Sequence, residues 1–390
     1  MRIAFVHYQD PTDESVWNGT PAYLIKRLRE SGNDVVVVGP LHGRFHLFAH
    51  FISHIRRRFY RYFAKRNFYV HRDPHVSKAR GRFASRILAG IPKLDAVLCV
   101  VPSDAAFIQT SAPLFLYFDS TWFQCLDFYG DCMRKDLANA TIEGGLEIDR
   151  ATYKNCTRVI YSSNWAVQSA IRDYGADPAR LTVLSLGANL KNTPDYDKLK
   201  QCLSMRGQGP CRLLFVGRDW NRKGGDAGLE IARALIAAGI PCEFHVVGCN
   251  VPSPIPSFVV PHGFLDKKDS FSGSKLDHLF QHSDFFVCPT RADCQPMVLA
   301  EAAAYGMPVV TTNIAGIPEI VPDSKWGITL PVGAPVSLYV DWIKQLFLDR
   351  QRYEDAAVAA WKYFNSNLVD TELSRKLTAI MTTAQLEEVL

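Results

Sequence analysis

Several signatures are missing from this 390-residue chain, and each absence removes a class of function. Its ten cysteines include no C-x-x-C pair and no histidine partners, which argues against a zinc site or a redox dithiol. The cysteines in apolar runs (Cys99, Cys242 and Cys288) read as core thiols in a reducing compartment. After Arg2 only residues 3–6 are apolar before His7, too few for a secretory signal core. No window approaches the roughly 20 apolar residues that a spanning helix needs. The phosphate loop G-x-x-x-x-G-K-[ST] and the dinucleotide fingerprint G-x-G-x-x-G are absent, so kinase and dehydrogenase readings lose support. These absences point to a cytoplasmic protein. Its 47% hydrophobic and 21% charged residues are ordinary for a globular chain, and its length suits two or three domains.

What is present is a twofold alternation of apolar runs and helical patterns. The first set of strand-like runs lies at 3–6, 35–38, 96–101, 114–118 and 158–161, with helical stretches such as 21–31 and 141–153 between. The second lies at 212–216, 243–247, 257–260, 284–288 and 309–312, with 226–238 as its clearest helix. Continuous Val/Ile/Leu runs separated by helices indicate parallel sheets covered on both faces. The expected fold class is therefore α/β with two doubly wound, Rossmann-like domains, residues 1–188 and 189–348. The break falls in the polar stretch 187–197. Residues 349–390 read as helices that pack back across both domains. Ligands of such sheets bind beyond the carboxyl ends of the strands, so a cleft between the domains is the expected site.

The most informative stretch runs from Pro289 to Thr311. Residues 285–287 read as a buried strand, Pro296 opens a short helix over 297–305, and Gly306 and Pro308 stop it. Asp293 thus lies in the loop above a strand, and Glu301 two turns into the following helix. Between them the helix start offers unpaired N–H groups and the positive end of its dipole, a site for phosphate. Two acceptors for sugar hydroxyls beside a phosphate cradle suit a nucleotide-sugar; the bland alternative is two solvated acids. A second stretch, residues 213–226, pairs a buried strand with a glycine turn and a basic cluster. Arg218 offers a planar fork for phosphate oxygens and Lys223 a point charge, while Gly224 and Gly225 let backbone approach a ligand. A basic surface loop is the alternative. Asp226 reads as the opening of the next helix.

Together these stretches resemble the retaining glycosyltransferases of family 4, which have the GT-B architecture. The matching pieces are Val216-Gly217-Arg218 with Lys223-Gly224, the D-x7-E spacing of Asp293 and Glu301, Gly306-Met307-Pro308-Val309-Val310, and Ala315-Gly316-Ile317-Pro318-Glu319-Ile320-Val321. The resemblance is specific over about 213–321 and weaker at Trp17-Asn18-Gly19-Thr20-Pro21, where the family has a glycine-containing first loop. It implies that Gly217, Arg218 and Lys223 bind the donor diphosphate, helped by the N–H groups of Met297 and Val298. Glu301 would hold the ribose, Asp293 the sugar hydroxyls, and Gly19 would face the donor. His262, Gly263 and Phe264 resemble the base-binding turn, acting largely through backbone. The chain departs from the family in having Asp rather than Glu at 293, Cys294-Gln295-Pro296 in place of G-F-G, and Asp119 where a histidine is usual. These departures bear on the donor sugar more than on the reaction class.

The implied reaction is transfer from a nucleotide-diphospho-sugar with retention at the anomeric carbon. A substrate-assisted route, with Asp119 as orienting group or base, fits better than a carboxylate nucleophile, which needs a separation of about 5 Å. Asp119 reads equally well as a strand-end acid capping the next turn. No cofactor and no metal are expected: Asp195-Tyr196-Asp197 matches D-x-D but lies in a polar linker. The rivals are a sugar-nucleotide-binding protein that has lost catalysis and a nucleotide-sugar epimerase of the same fold.

The net charge of +5 is unevenly placed. Residues 42–80 carry ten Lys/Arg and one acid, a net +9, so the remainder is 5 − 9 = −4. Phe48, Phe51, Ile52, Ile55, Phe59, Tyr62 and Phe63 recur at helical spacing on one face, and Arg57, Arg58, Arg61 and Lys65 fall on another. This is the pattern of a helix on an anionic membrane surface, here the inner face of the plasma membrane. The family resemblance implies that a lipid-linked glycan acceptor would be met there. The alternative packs the aromatic face on the N-terminal sheet. Nucleic-acid binding has no recognised fold to support it. Ser162-Ser163-Asn164-Trp165 reads as the cap of the next helix, with contact to acceptor or donor as the alternative, Trp220 as packing beside the phosphate loop, and His7 as a strand-end histidine, cleft-facing or structural.

Overall fold

The computed structural model describes residues 1–41, 44–322 and 325–389. The first two residues of the basic segment 42–80, His42 and Gly43, therefore lie outside the described residues. The chain forms two compact units, Met1–Ser185 with Asp370–Leu390, and Leu186–Val369.

The first unit is a six-stranded parallel sheet. Its strands are β1 (Arg2–Val6), β2 (Asp34–Val38), β3 (Ala96–Cys99), β4 (Leu114–Phe118), β5 (Arg158–Tyr161) and β6 (Leu181–Val183), in the order β2-β1-β3-β4-β5-β6. The second unit repeats the design. It has β7 (Cys211–Val216), β8 (Cys242–Val247), β9 (Val259–Gly263), β10 (Phe285–Cys288), β11 (Val309–Thr312) and β12 (Gly327–Leu330), in the order β12-β11-β10-β7-β8-β9. Every pairing is parallel. Central strands such as β3 and β10 are buried at every position, which is why they read as unbroken apolar runs. The expected pair of doubly wound α/β sheets is what the chain forms.

Strand order fixes where ligands can enter. In the first unit the chain leaves β1 for one edge and returns at β3 for the other, and in the second the same happens between β7 and β10. The loops after such neighbouring strands diverge and open a crevice at the carboxyl edge.

Some boundaries differ from expectation. The edge strands β6 and β12 have no long apolar run and were not anticipated. The run expected at 257–260 pairs later, as Val259–Gly263, so His262 and Gly263 end a strand. The stretch 187–197, expected as a polar linker, begins buried: Leu186, Ala188, Asn189 and Leu190 pack in the second unit, which starts at Leu186 rather than 189. The C-terminal segment 349–390 is divided. The helix Arg350–Asn367 belongs to the second unit and the helix Asp370–Val389 to the first.

The basic aromatic segment forms the predicted helix, Arg44–Phe59, continued by a wider turn over Tyr60–Ala64. Its orientation is inverted relative to ordinary amphipathic packing. Ser53 is fully buried and donates to Asp73 at 2.9 Å, and Arg56 pairs with the same carboxylate at 2.8 Å while lying over the Phe68 ring. The seven apolar residues of the other face are all exposed, Phe63 by 79%. The alternative in which this face packs on the sheet is thereby excluded.

Candidate active site

The loops after β7 and β10, which flank the crevice of the second unit, carry Gly217 to Gly224 and Pro289 to Pro296. They are joined by charge. Lys223 donates to Asp293 in a short, largely buried ion pair, and Arg222 reaches the same carboxylate oxygen at 3.1 Å. Arg222 also donates to the Ala292 carbonyl at 2.7 Å, which ties the two loops together. Burial opposes the charge on Lys223, but the adjacent Asp293 carboxylate outweighs it and holds the ammonium above its ordinary pKa. Lys223 is therefore a cation at neutral pH. With three N–H donors it can keep Asp293 and still offer a proton to a phosphate oxygen.

Two glycines make this geometry possible. A side chain at Gly217 would press on the Lys223 stem, 2.9 Å from its Cγ. Gly224 has φ +74°, and a Cβ there would collide with the Pro289 carbonyl oxygen. The helix Gly225–Ala237 starts directly after it, so Gly224, not Asp226, stands at the cap. Asp226 instead pairs with Arg291 at 2.6 Å. Strain in a left-handed backbone costs on the order of 1–3 kcal/mol, and the clash adds to it. Gly224→Ala is thus expected to lower the urea midpoint of the second unit clearly more than Gly239→Ala, which has φ +83° but open space around its Cβ. Equal losses would show that the approach to Pro289 is unimportant.

Glu301 lies in the helix Met297–Ala304, behind Pro296 at its cap, and is 4% exposed. Its carboxylate accepts from Lys267 at 2.5 Å, and Lys267 also donates to the Asn189 carbonyl at 3.2 Å. The unusual loop Asp293-Cys294-Gln295-Pro296 is packed rather than loose. Cys294 and Gln295 are buried, the Gln295 side chain accepts from the Leu186 N–H at 2.8 Å, and the Cys294 carbonyl accepts from Gly316 N–H. Asn189 reaches the Met297 sulfur at 3.4 Å.

Arg218 lies 5.1 Å from the centroid of the exposed Phe264 ring, which brings the turn after β9 to the loop after β7. The His262 side chain is engaged with His245 at 3.0 Å, and burial, followed by the charges of His245 and Lys275, pulls its pKa down to about 4. Trp220 packs on Phe215 and Phe244 as anticipated. In the first unit, Gly19 has φ +85° and begins the helix Thr20–Glu30. Trp17 of the same loop lies 5.5 Å from Phe118, the residue before Asp119, whose carboxylate accepts from Ser120 at 3.0 Å. His7 is buried, burial lowers its pKa to about 4, and its ring nitrogen accepts from the Gln9 N–H at 3.1 Å. Ser163 caps the helix Asn164–Tyr174, and Asp195 caps Tyr196–Met205 by accepting from Lys198.

Three contributors escaped the sequence. Arg222 stood in the basic cluster without a role, and Lys267 is locally indistinguishable from Lys268. Gln295 stood in the sequence only as a departure from G-F-G, because its burial and its bond to Leu186 are set by the fold.

Residues 210–349 match the family model described as glycosyl transferases group 1. A Klebsiella pneumoniae protein described as an uncharacterized 41.2 kDa protein in cps region is 26% identical over 46% of this chain and 49% of its own. D-inositol 3-phosphate glycosyltransferase of Paenarthrobacter aurescens (strain TC1) is 27% identical over 51% of this chain and 50% of its own. The chain thus spans about half the length of the curated relatives it matches. Anabaena Alr3699/HepE, solved in complex with UDP-glucose, superposes with a TM-score of 0.61 at 14% identity, over 98% of this chain and all of its own, which is a likeness of fold.

Proposed function

We propose that this chain, whose residues 210–349 carry the group 1 glycosyl transferase domain, moves a sugar from a nucleotide-diphospho-sugar to a glycan or lipid-linked acceptor, with retention. The observation that carries this is the meeting of Lys223 and Asp293 at the crevice of the second sheet. The cation suits a leaving diphosphate and the anion suits sugar hydroxyls on the same substrate. Negative charge grows on the diphosphate as the glycosidic bond breaks. Arg218, Lys223 and the N–H groups of Met297 and Val298 supply fixed charge and dipole for it. Glu301 accepts from the ribose hydroxyls, with Lys267 holding its carboxylate in place, and Phe264 covers the base. Asp119 serves the acceptor side as orienting group or base. No metal enters this assignment, so turnover should survive EDTA. The UDP-glucose complex of Anabaena Alr3699/HepE, a protein of the same fold, supports the donor class. A thermal-shift panel of nucleotide-sugars tests it: the true donor at one hundred times its Kd should add about 2.7 kcal/mol of stability. A flat panel would remove the reading.

The membrane part rests on the outward aromatic face. Among the described residues no helix is long and apolar enough to cross a membrane. The helix Arg44–Phe59 and its continuation present exposed aromatics beside exposed Arg57, Arg58, Arg61 and Lys65. Each basic residue adds about 1 kcal/mol at an anionic surface, and each buried aromatic about 1.5–3 kcal/mol. The chain is expected to float with anionic vesicles at low salt, and Phe59→Ser with Phe63→Ser to weaken this at least about tenfold without altering the fold. A concentration-dependent dimer in place of flotation would show that protein covers the face and would end the membrane reading.

A further inference from the structure

The crevice of the first sheet holds a second feature, which the donor chemistry does not use. A cavity of about 370 Å³ opens beside β1, and its wall includes Tyr8, His50, His54, Arg57, His71 and Arg80. Tyr8 follows β1, and its N–H donates at 2.8 Å to Asp104, which follows β3. The cavity therefore lies where the first unit's chain reverses direction, the position at which open α/β sheets take ligands. Among the described residues its lining carries two guanidinium groups, three imidazoles and two phenols, and no carboxylate.

The acids nearby are already committed. Asp104 is buried behind Arg80, 3.9 Å from its guanidinium. Asp73 is taken by Ser53 and Arg56 and caps the helix Pro74–Ala89. Arg80, 4% exposed at its side chain, is held 4.2 Å from the Tyr8 ring centroid and is therefore pre-positioned. His50, His54 and Arg57 fall at i, i+4 and i+7 on the outward-facing aromatic helix, so one helix forms a wall of the cationic cavity and also presents Phe51, Ile55 and Phe59 to solvent. An anionic group seated there would have an apolar surface one helix-width away.

We propose that this cavity binds the phosphate of a phosphorylated acceptor, with Arg57 and Arg80 as its charged contacts and His50 and His54 as further donors. Guanidinium groups match phosphate oxygens in geometry, and imidazoles contribute directional donors at short range. The inference deepens the glycosyltransferase reading by naming the acceptor's chemistry, and it rests on that reading only for the word acceptor. Phosphate recognition itself is testable without turnover.

The test uses calorimetric titration of the full chain with glycerol 3-phosphate, alongside flotation on phosphatidylcholine vesicles with and without phosphatidic acid. The probes separate a free phosphomonoester from a lipid headgroup. Removal of a hydrogen bond to a charged group costs about 1.5–3 kcal/mol, so His54→Ala with Arg57→Ala is expected to weaken phosphate-dependent binding at least about tenfold. Both side chains are exposed, which leaves the fold intact, and unchanged stabilisation by a nucleotide-sugar would confirm an intact second unit. Phe59→Ser with Phe63→Ser should lower vesicle binding while leaving glycerol 3-phosphate binding unchanged. Binding of phosphatidic acid alone would assign the cavity to a lipid headgroup, and binding of both probes to the phosphomonoester as such. Wild-type protein that binds neither probe, or binding that the His54/Arg57 variant leaves unchanged, would overturn the proposal. A donor that fails in the thermal-shift panel while phosphate still binds would sink the transferase reading and leave the phosphate site standing.

Discussion

Lys223→Ala is expected to lower turnover by at least about 10²–10³-fold, the effect of removing one preorganised donor from a developing charge. The structure separates this loss from a folding defect. Removing one partner of a buried ion pair typically costs about 3–5 kcal/mol because the other charge is stranded. Here Arg222 still reaches Asp293, so the stability loss should fall below that range. Adding Asp293→Asn to Lys223→Ala removes the stranded charge. The double variant is predicted to regain stability in a denaturant titration and to remain inactive. If activity returned together with stability, Lys223 would be a structural lysine and the diphosphate assignment would be wrong.

The second large effect is expected at Glu301. Its buried carboxylate offers two acceptor oxygens to adjacent ribose hydroxyls, and an amide offers one. Glu301→Gln also leaves the Lys267 ammonium without its counter-charge. Loss of a hydrogen bond to a charged group is about 1.5–3 kcal/mol, so donor affinity should fall by about 10–10²-fold. Because the ribose is remote from the breaking bond, the loss belongs in KM, with kcat nearly unchanged. Lys267→Met should weaken the donor less, since the carboxylate remains. A fall confined to kcat in Glu301→Gln would place this acid at the reacting centre and not at the ribose.

The sheets were legible because their strands are buried on both faces. Runs such as Leu114–Phe118 and Val309–Thr312 carry that burial in their own composition, and both form as expected. The edge strands Leu181–Val183 and Gly327–Leu330 are mostly half-buried, mixed in character and short, and gave no such signal. Helical periodicity located the aromatic and basic faces between Phe48 and Lys65. Which face packs inward depends on Asp73, up to 20 residues away, and periodicity alone does not reveal it.

The site divides in the same way. Lys223, Asp293 and Glu301 stood out through local patterns at strand-to-helix turns. Their pairings did not, because the contacts close over 70 residues for Lys223 with Asp293 and 34 for Lys267 with Glu301. The loop Cys294-Gln295-Pro296 looked like a loss of family glycines. In the fold it is an anchor for Leu186, which supplies a structural reason for glutamine at that position.

The central claim is transfer by this chain itself. The most direct measurement is mass spectrometry of the full chain incubated with the donor chosen by thermal shift and with acceptor-containing membranes, in EDTA. The account predicts consumption of the donor with equimolar nucleoside diphosphate and a glycosylated acceptor, and no product from Lys223→Ala. A donor that binds and stabilises the chain but is recovered unchanged would contradict it.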